Sequence, residues 1–229
     1  MCTSIVYNGK KTLVGWNLDI LDMKYRVSPG SHNVFIEIFD EKEGWLPLFG
    51  VNGRGDFVGM PTCWPYDERS DPGPQTIENI LMFDINILLE KVTMAEAKQL
   101  AESGNISSVP GVTFQAQISD RDGNVMQVVP GQGTKYILKP GYSIMTNFSP
   151  YKGDSEKHPW MGKDRYDTAE EMVIRAGDTL DTDGMFDILK AVSQTVCPTV
   201  VSMVYDATMN TVTWCENREY DRKTCKHLD

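Results

Sequence analysis

The sequence predicts an α+β fold in which antiparallel sheets are covered by helices. Short segments rich in β-branched and aromatic residues occur in three blocks, and two pairs of helical segments separate these blocks. That segregation is typical of antiparallel sheets, whereas a parallel sheet requires strands and helices to alternate along the chain. The 229 residues, of which 41% are hydrophobic and 24% charged, fit a single predicted domain over 1–229.

The predicted strands are short runs of residues that favour strands, bounded by turn residues. They lie at 2–7, 11–18, 33–39, 45–60, 112–119, 124–129, 134–138, 142–146, 199–206 and 210–216. Asn8 and Gly9 predict a two-residue hairpin turn after the first strand, and residues 120–123 predict another hairpin. The segment 67–76 is rich in Asp, Pro, Gly and Ser, which predicts a surface loop.

Helices are predicted from a period of 3.6 residues and from terminal signals. They lie at 76–91, 93–104, 164–176 and 184–195. Thr93 and Glu96 predict a capping box at the start of the second helix, and Gly104 and Gly177 mark the ends of the second and third. No glycine-rich loop joins a strand to a helix, so the sequence does not support a nucleotide site.

Charge and cysteine content weigh against several classes of function. The formal net charge of −10 disfavours binding to nucleic acid or to anionic membranes. The chain has no apolar run of about 18 residues and begins without the features of a signal peptide, so we expect a cytoplasmic protein. Its five cysteines include no Cys-x-x-Cys pair, so we expect no disulfide framework, no metal site and no cofactor.

Cys2 is the candidate nucleophile. Initiator methionine is usually removed before a small residue, and loss of Met1 would leave Cys2 with a free α-amine beside its thiol. An α-amine titrates at about 7.7–8.0, so it can accept the proton of its own thiol near neutral pH. His158 lies in a polar loop and His227 near the C-terminus, so neither is expected to act as the base. Alternatively, Cys2 is simply a small apolar residue at the start of a strand.

Short segments along most of the chain carry a resemblance to a known family. They are Met1-Cys2-Thr3-Ser4-Ile5, Gly15-Trp16-Asn17-Leu18-Asp19, Val51-Asn52-Gly53-Arg54-Gly55 followed by Asp56-Phe57-Val58-Gly59-Met60, Ser143-Ile144-Met145-Thr146-Asn147, Asp164-Arg165-Tyr166, and Val201-Ser202-Met203-Val204-Tyr205-Asp206 with Glu216-Asn217-Arg218 in the closing hairpin. In this order they resemble the linear amide C–N hydrolases, which include choloylglycine (bile salt) hydrolases, penicillin V acylases, acid ceramidase and the acyltransferase that makes penicillins. The resemblance implies a four-layer αββα sandwich, the fold of the N-terminal-nucleophile hydrolases.

The resemblance also implies roles for five residues. Cys2 would attack an amide carbonyl, Asp19 would lie beside its amine and thiol, and Arg165 would help to keep the thiolate. The side-chain amide of Asn147 and the backbone N–H of Thr62 would form the oxyanion hole. A one-residue gap in the comparison would move the second position to Pro61 or Cys63.

Simpler interpretations of these residues stay open at the level of sequence. Asp19 and Asn147 are also typical turn residues. Arg165 could be a solvated residue in the first turn of a helix, paired with Asp164 or Asp167.

Apolar residues in three loops are candidates for the pocket wall. The resemblance places Met23, Trp64 and Tyr136 there, which suits the acyl part of an amide. Trp16 is a fourth candidate because it stands inside the Gly-x-Asn-x-Asp segment. Bile salt hydrolases have Arg at that position, so Trp16 makes bile salts a poor first candidate.

The predicted function is hydrolysis of a non-peptide linear amide bond in a small acyl amide, similar to penicillin V or to an N-acyl amine, through an acyl-enzyme on Cys2. Three alternatives remain. An acyltransferase would use the same site, and a non-catalytic binding domain would have its pocket blocked by Trp16. A redox-sensing thiol protein would need a resolving cysteine, and none lies near Cys2 in sequence. The sequence leaves the oligomeric state open, including a homo-oligomer.

Overall fold

A computed structural model describes residues 1–151 and 161–229 of the chain, and most of its strands form two antiparallel sheets. The strands are β1 (Cys2–Asn8), β2 (Thr12–Asp19), β3 (Tyr25–Pro29), β4 (Val34–Asp40), β5 (Gly44–Val51), β6 (Phe57–Gly59), β7 (Glu78–Asn79), β8 (Ile106–Ser107), β9 (Ala116–Ser119), β10 (Val125–Val129), β11 (Gly133–Ile137), β12 (Tyr142–Met145), β13 (Thr199–Asp206), β14 (Thr211–Glu216) and β15 (Thr224–His227). The helices are α1 (Ile80–Leu88), α2 (Met94–Glu102), α3 (Lys163–Ala176) and α4 (Thr182–Ala191).

The two large sheets are built from different parts of the chain. The six-stranded sheet has the order β12-β1-β2-β13-β14-β15, and the seven-stranded sheet has the order β11-β10-β9-β6-β5-β4-β3. In the first sheet Cys2 lies opposite Leu18, so the start of β1 meets the end of β2. Asp19, the next residue of β2, lies opposite Thr199 at the start of β13. Three strand ends therefore converge around Cys2.

Helices cover the outer face of each sheet and give four layers. α3 and α4 contact the six-stranded sheet, whereas α1 and α2 contact the seven-stranded sheet. Alternation along β2 explains the packing, because successive side chains point to opposite faces. Leu13 belongs to the cluster under α4, while Trp16 stacks on Phe49 of the opposite sheet with 5.2 Å between ring centroids. This arrangement is the predicted αββα sandwich.

The first hairpin and the predicted strand at 45–60 differ from expectation. Asn8 pairs with Thr12, so the loop after β1 has three residues rather than two. The strand at 45–60 is interrupted because Asn52 closes a turn between β5 and β6. Its Oδ1 accepts hydrogen bonds from the backbone N–H groups of Arg54 and Asp56, both at 2.9 Å.

Four strands were not predicted: the two-residue strands β7 and β8, which pair with each other, and, in the two large sheets, β3 and β15. The last two share an explanation. Each lies at the edge of its sheet, and most of its residues are at least partly exposed. Edge strands commonly carry charged residues or proline and lack a clean alternation of apolar and polar residues, which removes the sequence signal. The predicted strand at 112–119 is shorter in the structure, where it begins at Ala116.

Helix capping decides where the helices begin. α1 starts at Ile80 instead of residue 76 because the side chain of Asn79 accepts the N–H of Met82. α4 starts at Thr182 and ends at Ala191, shifted towards the N-terminus by the capping side chain of Asp181. The capping box at the start of α2 and Gly177 at the end of α3 are confirmed. Within the described residues, no helix is long and apolar enough to cross a membrane.

Candidate active site

Cys2 opens β1 in a buried, polar surrounding. Its side chain is 5% exposed, and its backbone N–H donates to Oδ1 of Asn147 at 3.2 Å. Burial raises the pKa of the Cys2 thiol to about 11, against the opposing effect of the positive chain terminus. The thiol is therefore protonated at neutral pH while Met1 is attached.

Met1 occupies the space directly in front of Cys2. Its ammonium group donates to the backbone carbonyl of Asp19 at 2.9 Å and lies 3.9 Å from Sγ of Cys197. Met1, Cys2 and Cys197 line the same cavity. Removal of Met1 would free this part of the cavity and turn the Cys2 nitrogen into an α-amine.

Asp19 is fully buried at the end of β2 and does not cap a turn of its own backbone. Its Oδ1 accepts the hydroxyl of Thr199 at 2.6 Å, and its Oδ2 accepts the side-chain amide of Gln194. Burial raises the pKa of Asp19 to about 6, although the bond from Thr199 and the charge of Arg165 both lower it. Asp19 is thus poised to change charge just below neutral pH.

Arg165 is buried in the first turn of α3 and is not paired with the neighbouring aspartates of its helix. Its Nη1 donates to the Cys2 carbonyl at 2.7 Å and to the Thr3 hydroxyl at 2.8 Å, and it lies 3.8 Å from Oδ2 of Asp19. Nη2 donates to Oδ1 of Asn147 at 2.6 Å. The guanidinium group therefore holds the nucleophile strand, the carboxylate and the amide together.

Gly162 has no side chain and therefore leaves room for the side chain of Arg165. It precedes α3 in a left-handed conformation with φ of 80°. A Cβ atom at this position would lie 2.2 Å from Nη2 of Arg165. A side chain at residue 162 would thus be strained and would also displace the guanidinium group.

Asn147 and Thr62 meet beside Cys2. The side-chain amide of Asn147 donates to the Thr62 carbonyl at 2.7 Å and to its hydroxyl at 3.0 Å. Thr62 forms an antiparallel bridge with Phe114 in which Cys63 and Gln115 make the flanking backbone bonds. In this type of pair the N–H of Thr62 points away from Phe114. The five predicted catalytic residues are therefore gathered at one place.

An apolar cavity of about 390 Å³ opens next to Cys2. Its walls come from both sheets and from α1 and include Leu18, Leu21, Met23, Phe49, Met60 and Leu81. Met23 thus lies where it was predicted. Asp40 also reaches this cavity, at the end of β4.

The other three predicted pocket residues do not line this cavity. Trp16 is fully buried between the sheets, where the missing side chain of Gly59 makes room for its ring. It therefore does not block the cavity either. Tyr136 lies on β11, at the edge of the sheet opposite to β3, under the ammonium group of Lys98. Trp64 contributes a backbone N–H to the carbonyl of Asn147 at 2.7 Å, while its side chain is 37% exposed.

The loop between α4 and β13, together with the first residue of β13, supplies site residues that the sequence did not indicate. Gln194 and Thr199 bind Asp19, and Cys197 lines the cavity at Cys2. No cysteine lies close to Cys2 in sequence, but Cys197 lines the same cavity in the structure. Hydrogen-bonding residues of this kind have no spacing motif. Of the two histidines considered as bases, His227 is exposed on β15, and His158 lies outside the described residues.

No metal site emerges from the described part of the chain. Among the described residues, no three His, Cys, Asp or Glu side chains are arranged so that they could hold a metal ion together.

Comparisons with known proteins agree with this architecture. No family model and no curated protein sequence matches the chain. Two crystal structures of altered forms of the conjugated bile acid hydrolase from Clostridium perfringens match with TM-scores of 0.65 and 0.67, at 15% and 14% identity. The alignments cover 100% and 99% of this chain and 92% of the hydrolase chain in each case.

Penicillin V acylase from Agrobacterium tumefaciens also matches, with a TM-score of 0.62 at 13% identity. The alignment covers 94% of this chain and 83% of the acylase. At such identities the likeness establishes the architecture, and the chain therefore has the N-terminal-nucleophile hydrolase fold.

Proposed function

We propose that the protein is an amidohydrolase that cleaves a linear, non-peptide C–N amide bond, with Cys2 as nucleophile after removal of Met1. The observation that carries this proposal is the position of Cys2 between Asp19, Arg165 and Asn147 at the floor of an apolar cavity. The likeness to a bile acid hydrolase and a penicillin V acylase supports an amide as the bond that is attacked.

The first step forms an acyl-enzyme. The α-amine of Cys2 takes the thiol proton, and Sγ attacks the carbonyl carbon of the amide. The carbonyl oxygen becomes negative and accepts hydrogen bonds from the Asn147 side chain and from the backbone N–H of Thr62. The substrate oxygen would replace the Thr62 hydroxyl, 3.0 Å from the Asn147 nitrogen, as an acceptor. An oxyanion donor of this kind typically contributes about 3–4 kcal/mol to the transition state.

The acyl-enzyme is complete when the amine leaves. The α-ammonium group donates its proton to the leaving nitrogen, and the C–N bond breaks. Water then attacks the thioester with the α-amine as base, which frees the carboxylic acid and restores the thiol. Asp19 and Arg165 hold Cys2 in place and set the charge around it. The reaction requires no metal or cofactor.

The cavity indicates a small amide with an apolar acyl group. Its walls are mostly aliphatic and aromatic, so an aliphatic or aryl-acetyl group would bury apolar surface against them. Transfer of the acyl group to an amine instead of water would use the same acyl-enzyme. Adding amine acceptors to the assay and measuring new amides separates the two reactions.

The test is intact mass before and after treatment with an apolar β-lactone, followed by an assay with N-acyl amides. We expect mass loss corresponding to Met1 and one rapid adduct at Cys2. Retention of Met1, or slow labelling shared among all five cysteines, would show that Cys2 is not an activated N-terminal nucleophile.

Three variants serve as controls. Cys2→Ala should lose both the adduct and the activity. Cys225→Ser removes an exposed thiol on β15, so labelling and activity should persist. Cys197→Ser separates labelling of the second cavity thiol from labelling of the nucleophile.

A further inference from the structure

We infer that Gln194 and Thr199 are positioning residues that hold the Asp19 carboxylate beside Cys2; they are called the Asp19 clamp below. The inference rests on the proposed function, because it assigns a task to residues around the proposed nucleophile. Neither residue belongs to the segments that carry the family resemblance.

The Asp19 clamp is a closed set of hydrogen bonds. The Thr199 hydroxyl donates to Oδ1 of Asp19 at 2.6 Å, and the Gln194 amide donates to Oδ2. Two backbone-linked bonds tie the clamp residues to each other. Gln194 N–H donates to the Thr199 hydroxyl at 2.9 Å, and Thr199 N–H donates to the Gln194 carbonyl at 3.1 Å. Both carboxylate oxygens are thereby fixed in one orientation.

A β-bulge aims the Thr199 side chain at Asp19. Along β2 the partners Leu18 and Asp19 are adjacent, whereas on β13 their partners are Val201 and Thr199, with one residue between them. In a regular strand Thr199 and Val201 would face the same side of the sheet. The extra residue turns Thr199 to the opposite side, where Asp19 lies.

The loop that carries the clamp also forms part of the cavity wall. Cys197 lies between the two clamp residues in sequence and lines the cavity with Cys2. The neighbouring Pro198 carbonyl accepts the N–H of Ile20 at 3.3 Å, which joins the loop to the end of β2. The position of the carboxylate and the shape of the cavity therefore both depend on the seven-residue connection from α4 to β13 and on Thr199, the residue that follows it.

Several charged or titratable groups face Asp19 besides the clamp. Arg165 approaches from α3 at 3.8 Å, and Met1 and Cys2 approach from the start of the chain. The phenol of Tyr220 interacts with Asp19 electrostatically from the C-terminal region. Arg165 is held by Cys2, Thr3 and Asn147, so we expect it to stay beside Asp19 when one clamp residue is changed and only one hydrogen bond to be lost.

Loss of a clamp bond should shift the pH dependence of the site. Hydrogen bonds from Thr199 and Gln194 stabilise the ionised carboxylate and lower the pKa of Asp19, which burial has raised to about 6. Without one of them the pKa of Asp19 rises, so the acidic limb of the pH profile moves to higher pH. A shift of about one pH unit corresponds to about a tenfold loss of activity well below the pKa.

The experiment compares Thr199→Val with Thr199→Ser over pH 5–9. Val has the shape of Thr without the hydroxyl, whereas Ser keeps the hydroxyl. We expect Thr199→Val to move the acidic limb of kcat/KM upward and Thr199→Ser to restore the wild-type profile. If both variants keep the acidic limb of the wild-type profile, or if both lose activity equally at every pH, Thr199 does not position Asp19 as inferred.

Two additions keep the outcome decisive. Gln194→Met removes the hydrogen bond to Oδ2 of Asp19 at a partly exposed residue. It should shift the acidic limb of the kcat/KM profile to higher pH, as Thr199→Val does, and it serves as the test if Thr199→Val fails to fold. The pH dependence of Cys2 alkylation by iodoacetamide reports on the same carboxylate without amide turnover. A wild-type protein with no amidase activity would overturn the proposed function, while the alkylation profiles would still decide the clamp.

Discussion

Two buried aspartates, on opposite sides of the sandwich, show how neighbours determine what a carboxyl group can do. Asp19 ends β2 and lies beside Arg165 of α3, and Asp84 lies in α1, which covers the other sheet. Both are fully buried. Asp19 has Thr199, Gln194 and Arg165 around it, whereas neither Asp84 oxygen has a hydrogen-bond partner among residues 1–151 and 161–229.

The two groups differ in pKa for this reason. Burial raises the pKa of Asp19 only to about 6, because hydrogen bonds and a positive charge oppose it. Burial and the negative charge of Glu78 raise the pKa of Asp84 well above its ordinary value, with no partner to oppose them. The Asp19 carboxyl therefore changes charge near neutral pH, whereas the Asp84 carboxyl stays protonated and neutral there.

The largest expected difference between the two is in activity. Asp19→Asn should lower kcat/KM by about a thousandfold, because the charge beside the nucleophile is lost. Asp84→Asn should leave kcat/KM unchanged. The measurement is amide turnover at pH 7.5, with circular dichroism to confirm folding of both variants. Equal losses in the two variants would mean that Asp19 has only a structural role.

A smaller effect is expected on stability when Arg165 is removed. Arg165→Met should lower the free energy of unfolding by about 3–5 kcal/mol, since it leaves a buried carboxylate without its cation. Urea unfolding at pH 7.5 measures this. The matched control is Arg175→Met on the exposed part of the same helix, where the pair with Glu171 at 3.8 Å should contribute less than about 1 kcal/mol. If the control costs as much as Arg165→Met, the buried ion pair does not account for the loss.

The smallest expected effect, counted per pH unit, is a difference in pH dependence at Asp84. The folded pKa of Asp84 lies above the unfolded one, so the wild type loses stability as pH rises between these two values. Asp84→Asn has no such loss, and its free energy of unfolding relative to wild type should increase by up to about 1.4 kcal/mol per pH unit above roughly pH 4. Thermal or urea unfolding at several pH values gives this slope.

Glu96→Gln is the control for that slope, because the pKa of Glu96 is shifted in the direction opposite to that of Asp84. Hydrogen bonds from the backbone and side chain of Thr93 lower the pKa of Glu96 at the start of α2. Its contribution to stability is therefore present above the unfolded pKa and is lost as pH falls. Glu96→Gln should lose stability relative to wild type at neutral pH and approach it in acid. Parallel curves for Asp84→Asn and wild type would show that Asp84 ionises normally.

The sequence predicted the part of the site that is local or that follows the family resemblance. Cys2 and Asp19 sit on one hairpin, which is readable within 20 residues although its loop is one residue longer than predicted. The family resemblance placed Asp19 beside Cys2. Asn147 and Arg165 followed from short motifs in the right order. Thr199 lies 180 residues from Asp19, and its contact depends on a bulge in β13. No local pattern of residues indicates such a contact.

The pocket wall was harder to predict because it depends on how the two sheets face each other. Trp16 was assigned to the pocket wall because it stands inside the Gly-x-Asn-x-Asp segment. That position does not indicate that the opposite sheet, through Phe49, covers the ring. Tyr136 was assigned to the wall from its place before the Asn147 strand, but β11 pairs at the far edge of its sheet. Order along the chain does not fix order within a sheet.

The glycine before α3 has a consequence for recognising this kind of site in other chains. An arginine in the first turn of a helix is ordinarily solvated, and its sequence gives no sign of burial. Here the buried Arg165 requires a residue without a side chain three positions earlier, in a backbone conformation that other residues rarely adopt. A Gly-x-x-Arg pattern at a predicted helix start, downstream of a strand that is followed within two residues by Asn, is therefore a search pattern for an inward-pointing guanidinium group.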